Sequence, residues 1–199
     1  MKKFVIFFTS ALILFNTSFA VEYSSDPKNF VSELVLDVIE KLSDKNLSDE
    51  EKSKFIEDVA INNVDISALG LYTLGELRKS SEKKDIELYQ IAFEKYFLKS
   101  LTSRLSDYSS SEFEVKEEDK KSSNYTIIKT KITPKNGDPE IKIDWRIYTK
   151  NPDKPLIRDL IVEGLSLART QKEEFSSILN SNNNDLLVLI SKLEEFVKN

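Results

Sequence analysis

The chain has 199 residues, 40% hydrophobic and 10% aromatic, with 4 Gly and 5 Pro: enough for one domain with a sizeable core and too apolar for a disordered polymer. It contains no Cys and no His, which excludes disulfides, thiol nucleophiles, Cys/His zinc sites, a lipoprotein acyl anchor and any mechanism that needs imidazole as a base. The formal charge of −5 disfavours nucleic acid as a partner and argues against adsorption to anionic lipid surfaces.

The first element is a leader. Lys2-Lys3 is a positive n-region, Phe4 to Phe15 is apolar apart from Thr9 and Ser10, and small residues stand at Ser18 and Ala20. This is the layout of a cleavable signal peptide over residues 1–20, cut after Ala20. The apolar run is shorter than the ~20 residues of a spanning helix. The expected mature protein is residues 21–199, exported to the periplasm, with 27 basic against 34 acidic residues.

Asp26-Pro27 predicts an N-cap followed by Pro at the first helical position, and Phe30, Val31, Leu34, Val35, Val38, Ile39 and Leu42 predict a helix to about Leu42. Ser48 with Glu51 is a capping box that opens a second helix through Phe55, Ile56 and Val59. Ile61 to Leu77 is apolar but irregular, with Asp65 placed to cap a short helix. Ile86, Tyr89, Phe93, Phe97, Leu101, Leu105 and Tyr108 predict the longest helix. Leu88, Ile91, Ala92, Tyr96 and Leu98 widen its stripe beyond what one neighbour covers.

The period then changes. Glu112 to Val115 and Asn124 to Thr133 read as strands, and Lys135 to Asp138 as a hairpin turn around Asn136-Gly137. Ile141, Ile143, Trp145 and Ile147 alternate with Lys142, Asp144, Arg146 and Tyr148, so one face is buried and the other wet. Leu156 to Leu165 reads as a fourth strand, with Leu160, Val162 and Gly164 on one side and Asp159, Ile161 and Glu163 on the other. Helical spacing returns at Ala168 and, after Asn182-Asn183-Asn184, finishes the chain. The order predicts a single α+β domain: a four-stranded antiparallel meander packed on one face by N- and C-terminal helices.

No reactive constellation emerges, and the chain does not read as an enzyme. Glu117-Glu118-Asp119 beside Lys120-Lys121 reads as a charged loop, and Glu173-Glu174 as a solvated helix face. Glu163 is the best single carboxylate, with a salt bridge as its expected role. Lys52, Lys54, Arg78, Lys79, Lys83 and Lys84 are interleaved with acids and read as helix surface. There is no Gly-rich phosphate loop. The surplus is apolar: Val64 to Leu77, the long helix and the Trp145 face either form a solid core or part to admit an apolar ligand. Composition alone leaves both readings open.

Asp65 to Leu105 and Ile141 to Leu179 resemble the MlaC family, periplasmic phospholipid carriers also known as the auxiliary component of toluene-tolerance ABC transporters. The resemblance rests on Gly70-Leu71-Tyr72-Thr73-Leu74-Gly75, on Tyr89, Phe93, Phe97 and Leu101, on the Trp145 strand, and on Asp159 to Leu167 with Arg169 and Glu173-Glu174-Phe175 after it. It departs at Glu76-Leu77-Arg78, where members often carry an aromatic pair, and at Ser81 to Lys84, where a Pro commonly starts the long helix.

The resemblance implies an apolar pocket between sheet and helices that takes up phospholipid acyl chains, with the headgroup near solvent and no cofactor. Pattern and resemblance together place its wall at Ile66, Leu69, Leu71, Leu74, Tyr89, Phe93, Phe97, Leu101, Ile143, Trp145, Ile147, Leu160, Val162 and Leu165, with Gly164 permitting close approach. The partners implied are an inner-membrane ABC transporter with a lipid-binding ring protein and an outer-membrane lipoprotein–porin complex. The function implied is shuttling phospholipid between them to maintain outer-membrane lipid asymmetry. The alternative is a periplasmic assembly module with a closed core and no lipid.

Overall fold

A computed structural model describes residues 22–105, 111–134 and 139–199. The leader, Tyr108 and the Asn136-Gly137 turn lie outside the described residues. Helix α1 (Pro27–Ser43) starts where Asp26 accepts the Asn29 amide at 2.9 Å, with Pro27 in the first turn. Helix α2 (Asp49–Asn63) opens on the reciprocal Ser48–Glu51 box. Asp65 caps α3 (Ile66–Thr73) through the Ala68 amide, 3.1 Å. The single turn α4 (Leu77–Ser80) leads to α5 (Lys83–Leu105).

The strands β1 (Ser111–Ser122), β2 (Tyr125–Pro134), β3 (Ile141–Tyr148), β4 (Leu156–Val162) and β5 (Leu165–Ser166) form an antiparallel meander in chain order. The α+β single-domain expectation holds, with five strands among the described residues instead of four. The extra strand arises because the expected Leu156–Leu165 strand turns at Glu163-Gly164. Both residues have positive φ, 48° and 83°, which folds the chain back into β5. Strand β1 also runs through Glu117 to Lys121, expected as a loop. Its charges are satisfied across and along the sheet edge, as in Lys129–Glu117 at 3.0 Å and the ion pair of Lys121 with Asp119, so polarity does not end the strand. Helices α6 (Leu167–Asn180) and α7 (Leu186–Lys198) complete the fold.

Two apolar clusters result. On one sheet face, Ile128, Trp145, Ile147 and Ile157 pack against Phe30, Val31, Leu34 and Val35 of α1. The Trp145 indole N–H donates to Thr130 Oγ1 at 2.9 Å, and Thr130 donates to the Ile143 carbonyl at 2.9 Å, so the buried polar atoms on this face are paired. The second cluster is helical: Ile66 and Leu74 of the α3 region, Tyr89, Ala92 and Phe93 of α5, Phe175 and Leu179 of α6, and Leu186, Leu189, Ile190 and Leu193 of α7. Gly70 lets α3 lie against α5, because a Cβ there would stand 2.9 Å from both Phe93 and Gln90. Val64 packs against both clusters and forms a parallel bridge to Ile157 of β4.

Candidate functional site: a hollow on the wet face of the sheet

The face opposite Trp145 is where the structure leaves space. A hollow of about 750 Å³, open to solvent, lies over β2, β3 and β4 and is walled by α3 and the start of α6. Its apolar lining is Ile127 and Ile161 from the sheet, Ala68 and Leu69 from α3, and Ala168 from α6. Tyr72 and Tyr125 add aromatic surface, and Asp119, Lys121, Lys129, Asp144, Arg146 and Arg158 supply charge. Its volume falls in the usual range for small-molecule sites, about 300–1,000 Å³. Beyond Tyr72 a second groove, about 510 Å³, follows α6; Tyr72 is the largest apolar group among the Arg, Lys, Glu, Ser and Asn side chains that line it.

Strand irregularity shapes the hollow. Arg146 pairs with Asp159 and the next residue, Ile147, pairs with Ile157, so Arg158 is an extra residue in a bulge. The bulge swings Arg158 toward α3. Its Nε and Nη2 reach Asp65 Oδ2 at 2.8 and 2.7 Å, its Nη1 donates to Tyr125 Oη at 2.7 Å, and its guanidinium stacks 3.4 Å from the Tyr148 ring centroid. The α3 wall is thereby clamped to the sheet at its capping residue.

Asp159 does the same for α6. Its carboxylate is 1% exposed; Oδ2 accepts the Ser166 hydroxyl at 2.7 Å and Oδ1 accepts the Ala168 amide at 3.0 Å. Ser166 in turn caps α6 through the Arg169 amide, 3.1 Å. The Asp159-to-Ser166 segment singled out from the sequence is thus a closed turn: β4, a positive-φ pair, β5 and a helix start locked to a buried carboxylate. Glu163 Oε1 accepts the Lys142 amide at 2.6 Å and the Glu163 amide donates to the Lys142 carbonyl at 3.0 Å, so Glu163 secures the turn to β3.

Of the expected wall, Leu69 lines this hollow. Ile66, Leu74, Tyr89 and Phe93 are buried in the helical cluster with Phe97 against it, while Trp145 and Ile147 are buried under α1 with Ile143 and Leu160 against them. Leu71, Leu101 and Val162 are half-buried. Leu165 is 66% exposed, and Gly164, also exposed, has no neighbour a Cβ would touch: its φ, not close approach, is what demands glycine there. The Trp145 layer and the Phe93 helix therefore belong to separate packed clusters, and the open volume lies across the sheet from Trp145.

Ile127, Ile161, Tyr125, Arg146 and Arg158 line the hollow and lie outside the expected wall. The available signal was Ile161, an aliphatic residue on the side shared with Asp159 and Glu163, and Ile127 next to Ile128, which makes β2 apolar on both faces. An alternating strand that is apolar on its wet side marks a partly covered face.

Among the described residues there is no group of three or more Asp and Glu placed to hold a metal ion, and no helix long and apolar enough to cross a membrane. The family model for MlaC protein matches residues 31–195. The chain belongs to the MlaC family. The fold agrees: a phospholipid-binding protein from Ralstonia solanacearum, solved in complex with a phospholipid, superposes with a TM-score of 0.70 at 17% sequence identity, covering 84% of this chain and 94% of that one. At that identity the likeness is one of fold. No curated protein sequence matches.

Proposed function

We propose that this MlaC-family protein is a phospholipid carrier, not an enzyme, and that the hollow between the β2–β4 face, α3 and α6 is where lipid enters. The observation that carries the reading is that hollow, about 750 Å³, with an apolar lining of Ile127, Ile161 and Leu69 in a fold shared with a phospholipid-bound relative. Leu69 faces the hollow and also packs on the helical cluster, so it stands at the boundary between the two. A two-tailed lipid has roughly thirty methylenes; burying them at about 0.8 kcal/mol each makes escape into water very slow. Release then requires docking that opens the α3–β4 seam against another apolar channel. The physiological route consistent with the family is the periplasm, after export and cleavage at Ala20. Lipid would pass between an inner-membrane ABC transporter with its ring protein and an outer-membrane lipoprotein–porin complex.

A second reading rests on a different observation. Tyr89, Phe93, Trp145 and Ile147 are each at most 8% exposed in filled cores, which favours a closed interaction module that helps assemble a transport complex. Organic extraction and mass spectrometry of protein purified from the periplasm discriminate. Stoichiometric phospholipid supports the carrier; a folded protein with no lipid, and no uptake from vesicles, supports the closed module.

A further inference from the structure

The hollow is apolar at its sides but carries four cations, and they are not equivalent. Lys121 pairs with Asp119, Lys129 with Glu117, and Arg158 with Asp65. Arg146 is different. It stands on the central strand between Ile127 and Asp159, and its nearest carboxylate oxygen, Asp159 Oδ2, is 3.5 Å away, beyond the usual 2.7–2.9 Å of a charge-assisted bond. That oxygen already takes the Ser166 hydroxyl, and the second Asp159 oxygen takes the Ala168 amide. Among the described residues the Arg146 guanidinium makes no hydrogen bond at all, and its side chain is 45% exposed. The result is a five-donor fork, held near one buried negative charge but free to bond, beside Ile127 and Ile161.

A guanidinium fork fits phosphate bidentately, and its aliphatic stem extends the apolar wall. A single uncommitted fork next to aliphatic side chains suits an amphiphile with one phosphate at its head. We propose that Arg146 anchors the headgroup phosphodiester of the bound lipid, leaving the acyl chains to run along Ile127, Ile161 and Leu69. This rests on the carrier reading and adds to it a residue that selects for phosphate. The acid of the lining that stands outside these pairs, Asp144, sets the limit of the site: it repels a second anionic group, so one phosphate is bound and a more highly charged head is disfavoured.

The test uses the mature protein incubated with vesicles of phosphatidylglycerol and dioleoylglycerol in equal amounts, re-isolated, extracted and analysed by mass spectrometry. Inorganic phosphate is titrated separately by calorimetry. Folding of each variant is checked by urea unfolding. The wild type is expected to take up phosphatidylglycerol in preference to dioleoylglycerol, and Arg146→Gln to lower that ratio about tenfold, the worth of one hydrogen-bonded charged partner. Arg146→Lys should fall between them, because charge survives but the fork does not. An unchanged ratio in Arg146→Gln overturns the anchor while leaving the carrier intact, as does a wild type with no preference between the two lipids. Uptake of neither lipid, with Arg146-dependent binding of inorganic phosphate, overturns the headgroup assignment and the carrier together and leaves a free-anion site. Binding of nothing overturns all three.

Discussion

Arg158 and Asp65, 93 residues apart in sequence, meet at 2.7 Å and fasten the start of α3 to the bulged strand β4. Asp65 serves two structures at once, since its other oxygen caps α3 at the Ala68 amide. Arg158 has Asp65, Tyr125 and the Tyr148 ring as partners, and a lysine can satisfy at most part of this set. Arg158→Lys is expected to lower stability by about 1–2 kcal/mol. Asp65→Ala should cost about 1 kcal/mol more, because the cap is lost as well. Urea unfolding of both single variants and the double variant tests this: a coupling smaller than about 0.5 kcal/mol would mean the two residues act independently.

Asp159→Ala should be worse than its size suggests. The buried carboxylate holds the Ser166 hydroxyl and the Ala168 amide, and its loss leaves both without an acceptor. A cost of about 2–3 kcal/mol follows. Asp159→Asn keeps one acceptor and should recover about half of that difference. Denaturant midpoints decide it, and equal midpoints for the Ala and Asn variants would show that the carboxylate's hydrogen bonds do not hold α6 in place.

Tyr89 makes the stability pH-dependent at the alkaline end. It is fully buried, and its hydroxyl lies 2.6 Å from Thr73 Oγ1, whose own proton goes to the Gly70 carbonyl at 2.7 Å. Burial pushes the Tyr89 phenol well above its ordinary value, against a smaller opposing effect from Thr73. The folded state therefore keeps this proton where the unfolded chain, with a phenol near pH 10, releases it. Above about pH 10 the unfolded state binds fewer protons, so unfolding becomes easier as pH rises, by up to about 1.4 kcal/mol per pH unit from this group. Below pH 10 its contribution is fully present. Tyr23, raised by burial and by donating to Asp37 at 2.7 Å, acts in the same direction. Tyr89→Phe should flatten the fall in urea midpoint between pH 9 and 11; an unaltered slope would remove Tyr89 from the account.

The legible parts of this fold were those governed by local chemistry. Asp26-Pro27, the Ser48–Glu51 box and Asp65 announced three helix starts, because a cap needs only its own side chain and an amide two or three residues on. The alternation around Trp145 identified the face that α1 buries. What could not be read was which helix lies over which face. That depends on the Arg158 bulge and on the Glu163-Gly164 reversal, both set by contacts distant in sequence: Asp65 for the first, Lys142 for the second. Placing Phe93 opposite Trp145 treated two apolar surfaces as one. Phe93 instead finds aromatic partners among helices, with Tyr89, Phe97 and Phe175 within 6.2 Å between ring centroids. Strand β1 follows a related rule: the charged run Glu117 to Lys121 has the polarity of a loop, but the cross-strand Lys129–Glu117 ion pair supports it as an edge strand.

The location of the ligand can be tested by filling one space and breaking another. Ala68 stands in the first turn of α3, lines the hollow, and is held by its backbone amide and not by its side chain. Ala68→Phe places a ring in the hollow without disturbing that bond. Stability should stay within about 1 kcal/mol of the parent, because the added apolar surface offsets the small loss of helix propensity. Lipid recovered after incubation with phosphatidylglycerol vesicles should fall severalfold. Phe93→Asp is the contrast: Phe93 is 3% exposed in a filled helical core, so a carboxylate there should cost more than about 4 kcal/mol and unfold the protein instead of emptying it. The two variants separate a hollow entered from the wet face of the sheet from a cavity inside the helical cluster. Normal lipid occupancy in folded Ala68→Phe, together with a folded but lipid-free Phe93→Asp, would move the acyl chains out of the hollow and in among the helices.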